Sequence, residues 1–319
     1  MKPGSVVCFG EVLADFHSPE SGPLEEAQSF YLTPGGAPAN VAVGLARLGV
    51  PSAFVGKVGQ DFLGRFLRHT LDAEGVNTEY LLDEAGASTA QAFVTNDSGG
   101  ERSFEFLRKP GADSRLSPSE LPQDLLKDAK MLVFGSFSLT LEPTRSTCFE
   151  LVQNARKRKV PVFFDPNIRI QVWDSELEAR RAIQRGINVC DVLKVSQEEL
   201  LWLQGDIPQD QAIRNLLTQG PQAVLLTLGG QGANGFTRYI QAESGAPRVQ
   251  AVDTTGAGDA FLAGFLAAGW VQAGLDWFKA TAQLKKMLTL GCRVGALCVT
   301  RRGAMRALPR KEDLIQPQA

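Results

Sequence analysis

Short apolar runs alternate along this chain with longer stretches in which apolar positions recur at helical spacing. Ser5-Val6-Val7-Cys8-Phe9-Gly10 reads as a buried strand, and Pro38 to Leu48 as a helix that Gly49-Val50-Pro51 ends. Ser52 to Val58 predicts the next strand, and Phe62 to Glu74 a helix stopped by Gly75. Met131 to Gly135, Val160 to Asp165, Val192 to Val195 and Ala223 to Leu228 predict further strands. Helical segments such as Glu142 to Arg158 and Ala260 to Gly269 stand between or after them. Strands that alternate with helices imply βαβ units and a mostly parallel sheet, so the pattern specifies an α/β fold.

Two stretches leave that rhythm. Phe16 to Leu32 and Ala90 to Leu107 read as extended segments with no crossover helix inside them. The second alternates Phe93 and Thr95, then Phe104 and Phe106, around the turn Asn96-Asp97-Ser98-Gly99-Gly100, which is a hairpin signal. Both are expected in one small antiparallel sheet projecting from the main domain. A lid over a site, a dimer edge and a plain sheet extension all fit the pattern.

Composition narrows the function more than the fold. The 319 residues are 44% hydrophobic and 21% charged, which suits one α/β domain, alone or with a small appendage. A net charge of −2 argues against a general polyanion binder, so no nucleic-acid partner is expected and any phosphate binding must be local. No apolar run is long enough to span a bilayer, and the N-terminus lacks the apolar core of a signal peptide. Cys8, Cys148, Cys190, Cys292 and Cys298 are an odd, scattered set, expected as packed thiols in a reducing, cytoplasmic compartment.

The candidate chemistry collects where strands end, since open α/β sheets bind ligands beyond those ends. Asp253-Thr254-Thr255-Gly256-Ala257-Gly258-Asp259-Ala260-Phe261 places glycine-rich backbone and a carboxylate at the head of an apolar helix. Amides at a helix N-terminus bind anions, and glycine lets a phosphate approach them. With Asp259 beside that cradle, phosphoryl transfer to a hydroxyl is the indicated chemistry, although a dipole-favoured first-turn Asp reads the same way alone. Glu11 and Asp15 follow the first strand, and Gly35-Gly36-Ala37-Pro38-Ala39-Asn40 opens a helix. Asn40 suits a sugar hydroxyl, or a local cap.

Arg169 follows Phe164-Asp165-Pro166-Asn167-Ile168 and could fork onto a phosphate, or simply face solvent. Lys194-Val195-Ser196-Gln197-Glu198-Glu199 follows another strand, with Glu199 able to hold the water shell of Mg²⁺ or to be an exposed first-turn glutamate. Thr227-Leu228-Gly229-Gly230-Gln231-Gly232 could run beside a nucleotide or make a turn. His17 and His69 form no triad or metal set, His69 is expected at the surface, and no P-loop pattern occurs.

Taken together these segments resemble the ribokinase-like, or PfkB, family of carbohydrate kinases over essentially the whole chain. The resemblance lies in Gly35 to Asn40 and, most specifically, in Asp253 to Phe261. It implies a ribokinase-like, Rossmann-type, mostly parallel sheet flanked by helices, with residues 1–319 as one kinase domain. It also implies a β-sheet lid from about 14–33 and 88–110, through which a homodimer could form. The implied reaction is phosphorylation of a primary hydroxyl by ATP. Asp259 matches the base, and the amides of Gly256, Ala257 and Gly258 match the anion hole. Arg169 stabilises the transferred charge. Lys194, Thr227, Gly229, Gly232 and Gly258 fall on the nucleotide side, and Asp15, Gly35, Gly36, Asn40 and Arg108 on the sugar side. Glu199 matches the glutamate linked to Mg²⁺. Asp253 and Thr255, with carbonyls between Cys298 and Gly303, match a monovalent-cation site of the kind that takes K⁺.

Gly100 to Asp113, Phe164 to Arg169 and Lys194 to Leu200 are most similar to the fructokinases of that family. D-Fructose giving fructose 6-phosphate is therefore the implied substrate pair, with 2-keto-3-deoxygluconate and aminoimidazole riboside as alternative acceptors. A reading of another class is a non-catalytic, kinase-like regulatory protein. Cys292 stands where the family carries Asn near the nucleotide, a departure that touches adenine binding and not the base.

Overall fold

The computed structural model describes residues 1–96, 102–107, 111–270 and 276–315. In chain order the elements begin β1 (Ser5–Phe9), β2 (Leu13–Ser21), β3 (Tyr31–Gly35), α1 (Ala37–Arg47), β4 (Ser52–Gly59), α2 (Phe62–Ala73) and β5 (Asn77–Glu84). Next come β6 (Gln91–Asn96), β7 (Arg102–Leu107), β8 (Ala129–Gly135), α3 (Thr144–Lys157), β9 (Val162–Asp165) and α4 (Glu176–Val189). The chain closes with β10 (Val192–Ser196), α5 (Gln197–Gln204), α6 (Gln209–Gln219), β11 (Ala223–Thr227), β12 (Ala233–Thr237), β13 (Gln241–Ser244), α7 (Ala257–Gly269) and α8 (Thr281–Cys298).

Among the described residues nine strands form the main sheet, in the order β13-β12-β11-β10-β9-β8-β1-β4-β5. From β5 to β11 every pairing is parallel, while β12 and β13 add an antiparallel edge. Alternation along β1 divides the interior between the two faces. Val6 and Cys8 join the apolar cluster formed with α1, α7 and α8, whereas Val7 and Phe9 join the one formed with α3, α4 and α6. Covered on both sides, the central strands can be apolar throughout, which is why they are legible as unbroken runs. All five cysteines are buried and unpaired, and His69 is exposed, as expected.

The second sheet has the order β3-β2-β6-β7 and corrects one expectation. β2–β3 and β6–β7 are antiparallel, but β2 and β6 run parallel, so the sheet is mixed. The cause lies in the main sheet. β2 continues from β1 and β6 follows β5, and those strands belong to the same parallel array. Chain leaving two parallel strands at the same end continues in the same direction. Phe16 and Phe93 are opposite one another in the register, with rings stacked at 5.0 Å, and Phe30 meets Phe93 edge-on. The turn expected at 96–100 falls, beyond Asn96, outside the described residues.

Candidate active site

The stretch from Asp253 to Asp259 is shaped by its glycines. Gly256 takes a left-handed conformation at φ 77° and ends the loop where α7 begins. A Cβ there would also stand 2.9 Å from the backbone of Ala304, so the position excludes larger residues on two grounds. Asp253 orders the loop from within. Its Oδ1 accepts from the Thr255 amide at 2.9 Å and the Thr255 hydroxyl at 2.6 Å, while Oδ2 accepts from the Gly303 amide at 2.8 Å. The turn at 253–255 is thereby held against the turn that follows α8.

Asp259 is the one charged residue of α7 and is buried in the helix's first turn. It has a partner 219 residues away. Asn40 Nδ2 donates to Asp259 Oδ2 at 2.8 Å, across the contact of α1 with α7. A Cβ on Gly44 would stand 2.7 Å from the Ala263 methyl, which shows how closely the two helices approach to permit that bond. Asn40 is thus no cap: it orients the carboxylate. Its own Oδ1 is buried and finds no hydrogen-bond partner among the described residues. Burial, reinforced by the charge of Asp165, pushes the Asp259 carboxyl up to about 6, against the Asn40 bond and the charges of Lys194 and Arg169.

Two cavities meet at this point. The first, about 350 Å³, is lined by Asp15, Gly36, Asn40, Arg169, the Gly256–Asp259 turn and Phe106 from the small sheet. The second, about 880 Å³, is lined by Thr227, Gly229, Gly232, Arg248, Phe261 and Cys292. Lys194, Thr254, Ala257 and Gly258 line both. The two cavities therefore adjoin along the amide-bearing turn and Lys194, with Asp259 on the side of the first.

Further residues of the first cavity are held by backbone. Gly36 has φ 101°, and a Cβ there would come within 2.5 Å of the Glu11 carbonyl. Glu11 Oε1 accepts from the Ala37 amide at 3.1 Å and anchors the start of α1. Gly35 does not line the cavity; the Asp15 carboxylate packs on its backbone, in space that any side chain would fill. Burial pushes the Asp15 carboxyl up to about 7.

Lys194 reaches from β10 to Asp165 at the end of β9, with Nζ 2.9 Å from Oδ2 and 3.1 Å from Oδ1, and both side chains are buried. Burial works against the Lys194 charge, but the carboxylates of Asp165, Glu199 and Asp259 raise its proton affinity overall. Glu199 lines neither cavity. Its Oε1 accepts from the Ile168 amide at 2.8 Å and its Oε2 from the Ser196 amide at 2.9 Å, while Ser196 Oγ accepts from the Glu199 amide at 3.2 Å. Glu199 thus closes a capping box at the start of α5 and is partly buried, so the alternative of an exposed first-turn glutamate does not describe it.

Of the expected residues, Asp15, Gly36, Asn40, Arg169, Lys194 and the Gly256–Asp259 turn line the first cavity and Thr227, Gly229 and Gly232 the second, whereas Gly35, Glu199 and Asp253 line neither. Arg108 alone cannot be placed, since 108–110 lie outside the described residues. Sequence reasoning missed Asp165 as the partner of Lys194, although its place at a strand end was a usable signal. Arg248 and Ala304 carried no such signal.

A family model described as "pfkB family carbohydrate kinase" matches residues 4–311. The chain belongs to that family. It is 42% identical over 310 residues to "Probable fructokinase-6, chloroplastic" of Arabidopsis thaliana, covering 96% of this chain and 80% of that protein. It is 40% identical over 314 residues to "Fructokinase-2" of Solanum lycopersicum, covering 98% and 95%. Among solved structures, fructokinase with bound ATP from Xylella fastidiosa superposes with a TM-score of 0.90 at 33% identity, over 98% of both chains. A Vibrio cholerae fructokinase in a form with fructose, ADP and calcium bound gives 0.85 at 36%, over 97% of both. The fold is ribokinase-like, as expected. Among the described residues no helix is long and apolar enough to cross a membrane.

Proposed function

We propose that this chain phosphorylates the primary hydroxyl of D-fructose with ATP, giving fructose 6-phosphate and ADP. One observation carries the reading: the two cavities share the Ala257–Gly258 turn and Lys194, with the buried Asp259 on the smaller side. The smaller cavity suits a sugar and the larger a nucleotide. The relatives named fructokinase support fructose as the acceptor.

In the reaction Asp259, oriented by Asn40, takes the proton of the primary hydroxyl as that oxygen attacks the γ-phosphorus. The new O–P bond forms while the bond to the β–γ bridging oxygen breaks, and ADP leaves. Amides of Gly256, Ala257 and Gly258, with Arg169, face the charge on the transferred group. Asp15, Asn40, Gly36 and Arg108 hold the remaining hydroxyls, with Gly35 supporting Asp15. Asn40 Oδ1, buried and open to a donor, is suited to one of them. Thr227, Gly229 and Gly232 follow the nucleotide.

Mg²⁺ would be held through water, with Glu199 set behind the cavity wall and not in it. No group of three or more His, Cys, Asp or Glu among the described residues could hold a metal by itself. The Glu199 carboxylate, fixed by two amides, still has lone pairs for a hydration shell. Mg²⁺ would neutralise charge on the nucleotide phosphates. A monovalent cation such as K⁺ would be held by Asp253, Thr255 and nearby carbonyls, where the two turns meet.

The four-stranded sheet serves as a lid that excludes water, and its β3 edge, with Tyr31 exposed, is where a homodimer would form. The cytoplasm is the compartment we assign, in keeping with the unpaired thiols.

An ADP-release assay across fructose, ribose, 2-keto-3-deoxygluconate and aminoimidazole riboside tests the reading. Fructose is expected to give the highest kcat/KM. Turnover with none of the four would overturn the assignment.

A further inference from the structure

We propose that Asp61 and Thr89 are positioning residues for the sugar side of the site: their contact fixes the root of β6, and with it the row of the small sheet that faces the smaller cavity. The inference rests on the kinase reading above and adds to it what holds the lid in register.

The row is Asp15 of β2, Ala92 of β6 and Phe106 of β7, which are partners across the strands and all line the smaller cavity. Ala92 follows Thr89 closely in sequence, so at about 3.3 Å per residue the root lies about 10 Å from that row along extended chain. Thr89 is buried and tied to Asp61, the residue before α2. Its amide donates to Asp61 Oδ2 at 2.8 Å, and its hydroxyl donates to Asp61 Oδ1 at 2.7 Å. The same hydroxyl accepts from the Gly59 amide at 3.0 Å, at the end of β4. A Cβ on Gly59 would stand 2.7 Å from the Thr89 nitrogen and 2.5 Å from the Ala87 carbonyl oxygen, so the end of β4 lies directly against this segment.

The chain that leaves the small sheet is held at the same place. The Ala112 amide donates to the Ser88 carbonyl at 2.9 Å, and the buried Lys57 of β4 donates to the Arg115 carbonyl at 3.2 Å. Capping α2 does not account for Asp61. The cap takes one oxygen, Oδ1, which accepts from the Gly64 amide at 2.8 Å, and the contacts with Thr89 come in addition. Burial works to raise the Asp61 carboxyl, yet the bonds from Thr89 and Gly64 hold it below its ordinary value. Asp15 belongs to the small sheet, whereas Asn40 and Asp259 belong to helices packed on the main one. The spacing between them therefore depends on this root, and a misplacement of about 1 Å can cost about 10²-fold in rate.

The test uses Thr89→Val, which removes the hydroxyl at nearly constant volume, and Asp61→Asn, whose oxygen can still cap α2 while its NH₂ group faces the Thr89 amide. Thr89→Ser keeps the hydroxyl and serves as the rescue. Each protein is measured for kcat, for both KM values and for the ratio of inorganic phosphate released to fructose 6-phosphate formed, and thermal unfolding confirms its fold. Thr89→Val and Asp61→Asn should raise the sugar KM about tenfold and leave the ATP KM within about threefold. The ratio should rise at least about fivefold, because a lid out of register admits water, whose oxygen attacks the γ-phosphorus in place of the sugar's and gives ADP and inorganic phosphate. Thr89→Ser should bring both quantities to within about twofold of wild type. Loss of folded protein alone lowers both products together, and moves neither the ratio nor KM.

An unchanged sugar KM and an unchanged ratio in the folded variants would reduce the contact to a helix cap. A rise in the ATP KM in place of the sugar KM would overturn the assignment to the sugar side. A Thr89→Ser protein that restores neither quantity would trace the effect to packing and not to the hydroxyl. If the wild-type protein turns over no sugar, the kinase reading falls and takes this role with it. A working wild type beside unchanged variants overturns the positioning role alone, so the two failures are separable.

Discussion

Asp259→Asn should make the protein more stable while it destroys turnover. The carboxyl rises from the ordinary 3.8 to about 6, chiefly through burial. At about 1.4 kcal/mol for each tenfold change in proton affinity, that rise corresponds to about 3 kcal/mol of stability absent at pH 7. The sign follows from proton binding. A carboxyl whose folded pKa is raised binds more protons folded than unfolded between those values. Its unfavourable contribution is therefore full above pH 6 and fades as the pH falls towards 3.8. The amide carries no charge, and its oxygen can still accept from Asn40 Nδ2, so most of the penalty is removed without leaving that donor unpaired.

The expected gain at pH 7 is about 1–3 kcal/mol, and kcat falls by about 10³-fold. Urea unfolding of both proteins at pH 7 and pH 5 measures the gap, which should shrink at the lower pH. Asp15 titrates in both proteins and cancels in the comparison. A variant less stable than wild type at pH 7, or a gap that does not narrow by pH 5, would refute the reasoning. Catalytic carboxylates held out of water commonly carry this opposition between stability and activity.

The same carboxyl places the acid limb of kcat/KM near pH 6, with activity falling tenfold per pH unit below it, and a pH–rate profile with fructose checks this. Asp15→Ala should raise the sugar KM about tenfold or more and leave the ATP KM unchanged, which steady-state kinetics in both substrates will separate. Gly258→Ala drives a methyl to within 2.8 Å of Lys194 Nζ, so it should lower kcat about tenfold with little change in Tm. Gly36→Ala meets both a positive φ and the Glu11 carbonyl, and should cost about 2 kcal/mol or more in urea unfolding.

Much of this was legible from pattern because it is local. The central strands are apolar on both faces, and helices such as α2 carry their own stop, Gly75. β5 escaped because its outer position leaves it half polar, as in Asn77-Thr78-Glu79, so no apolar run marks it. β12 and β13 are short, and a glycine interrupts the first. The mixed character of the small sheet depends on which main-sheet strands feed it, and no periodicity within Phe16 to Leu32 or Ala90 to Leu107 reports that.

By itself the sequence determined the reaction class. The ability to place amides and a carboxylate together resides in one nine-residue string, Asp253 to Phe261, whose left-handed glycine and helix start are dictated by short-range sterics. Only the tertiary structure decided how that carboxylate behaves. Burial first, and then Asp165 of β9, raise the proton affinity of Asp259, against the bond from Asn40 of α1 and the charge of Lys194 of β10. Burial and charge act through space, and the residues that supply them here lie far from Asp259 along the chain.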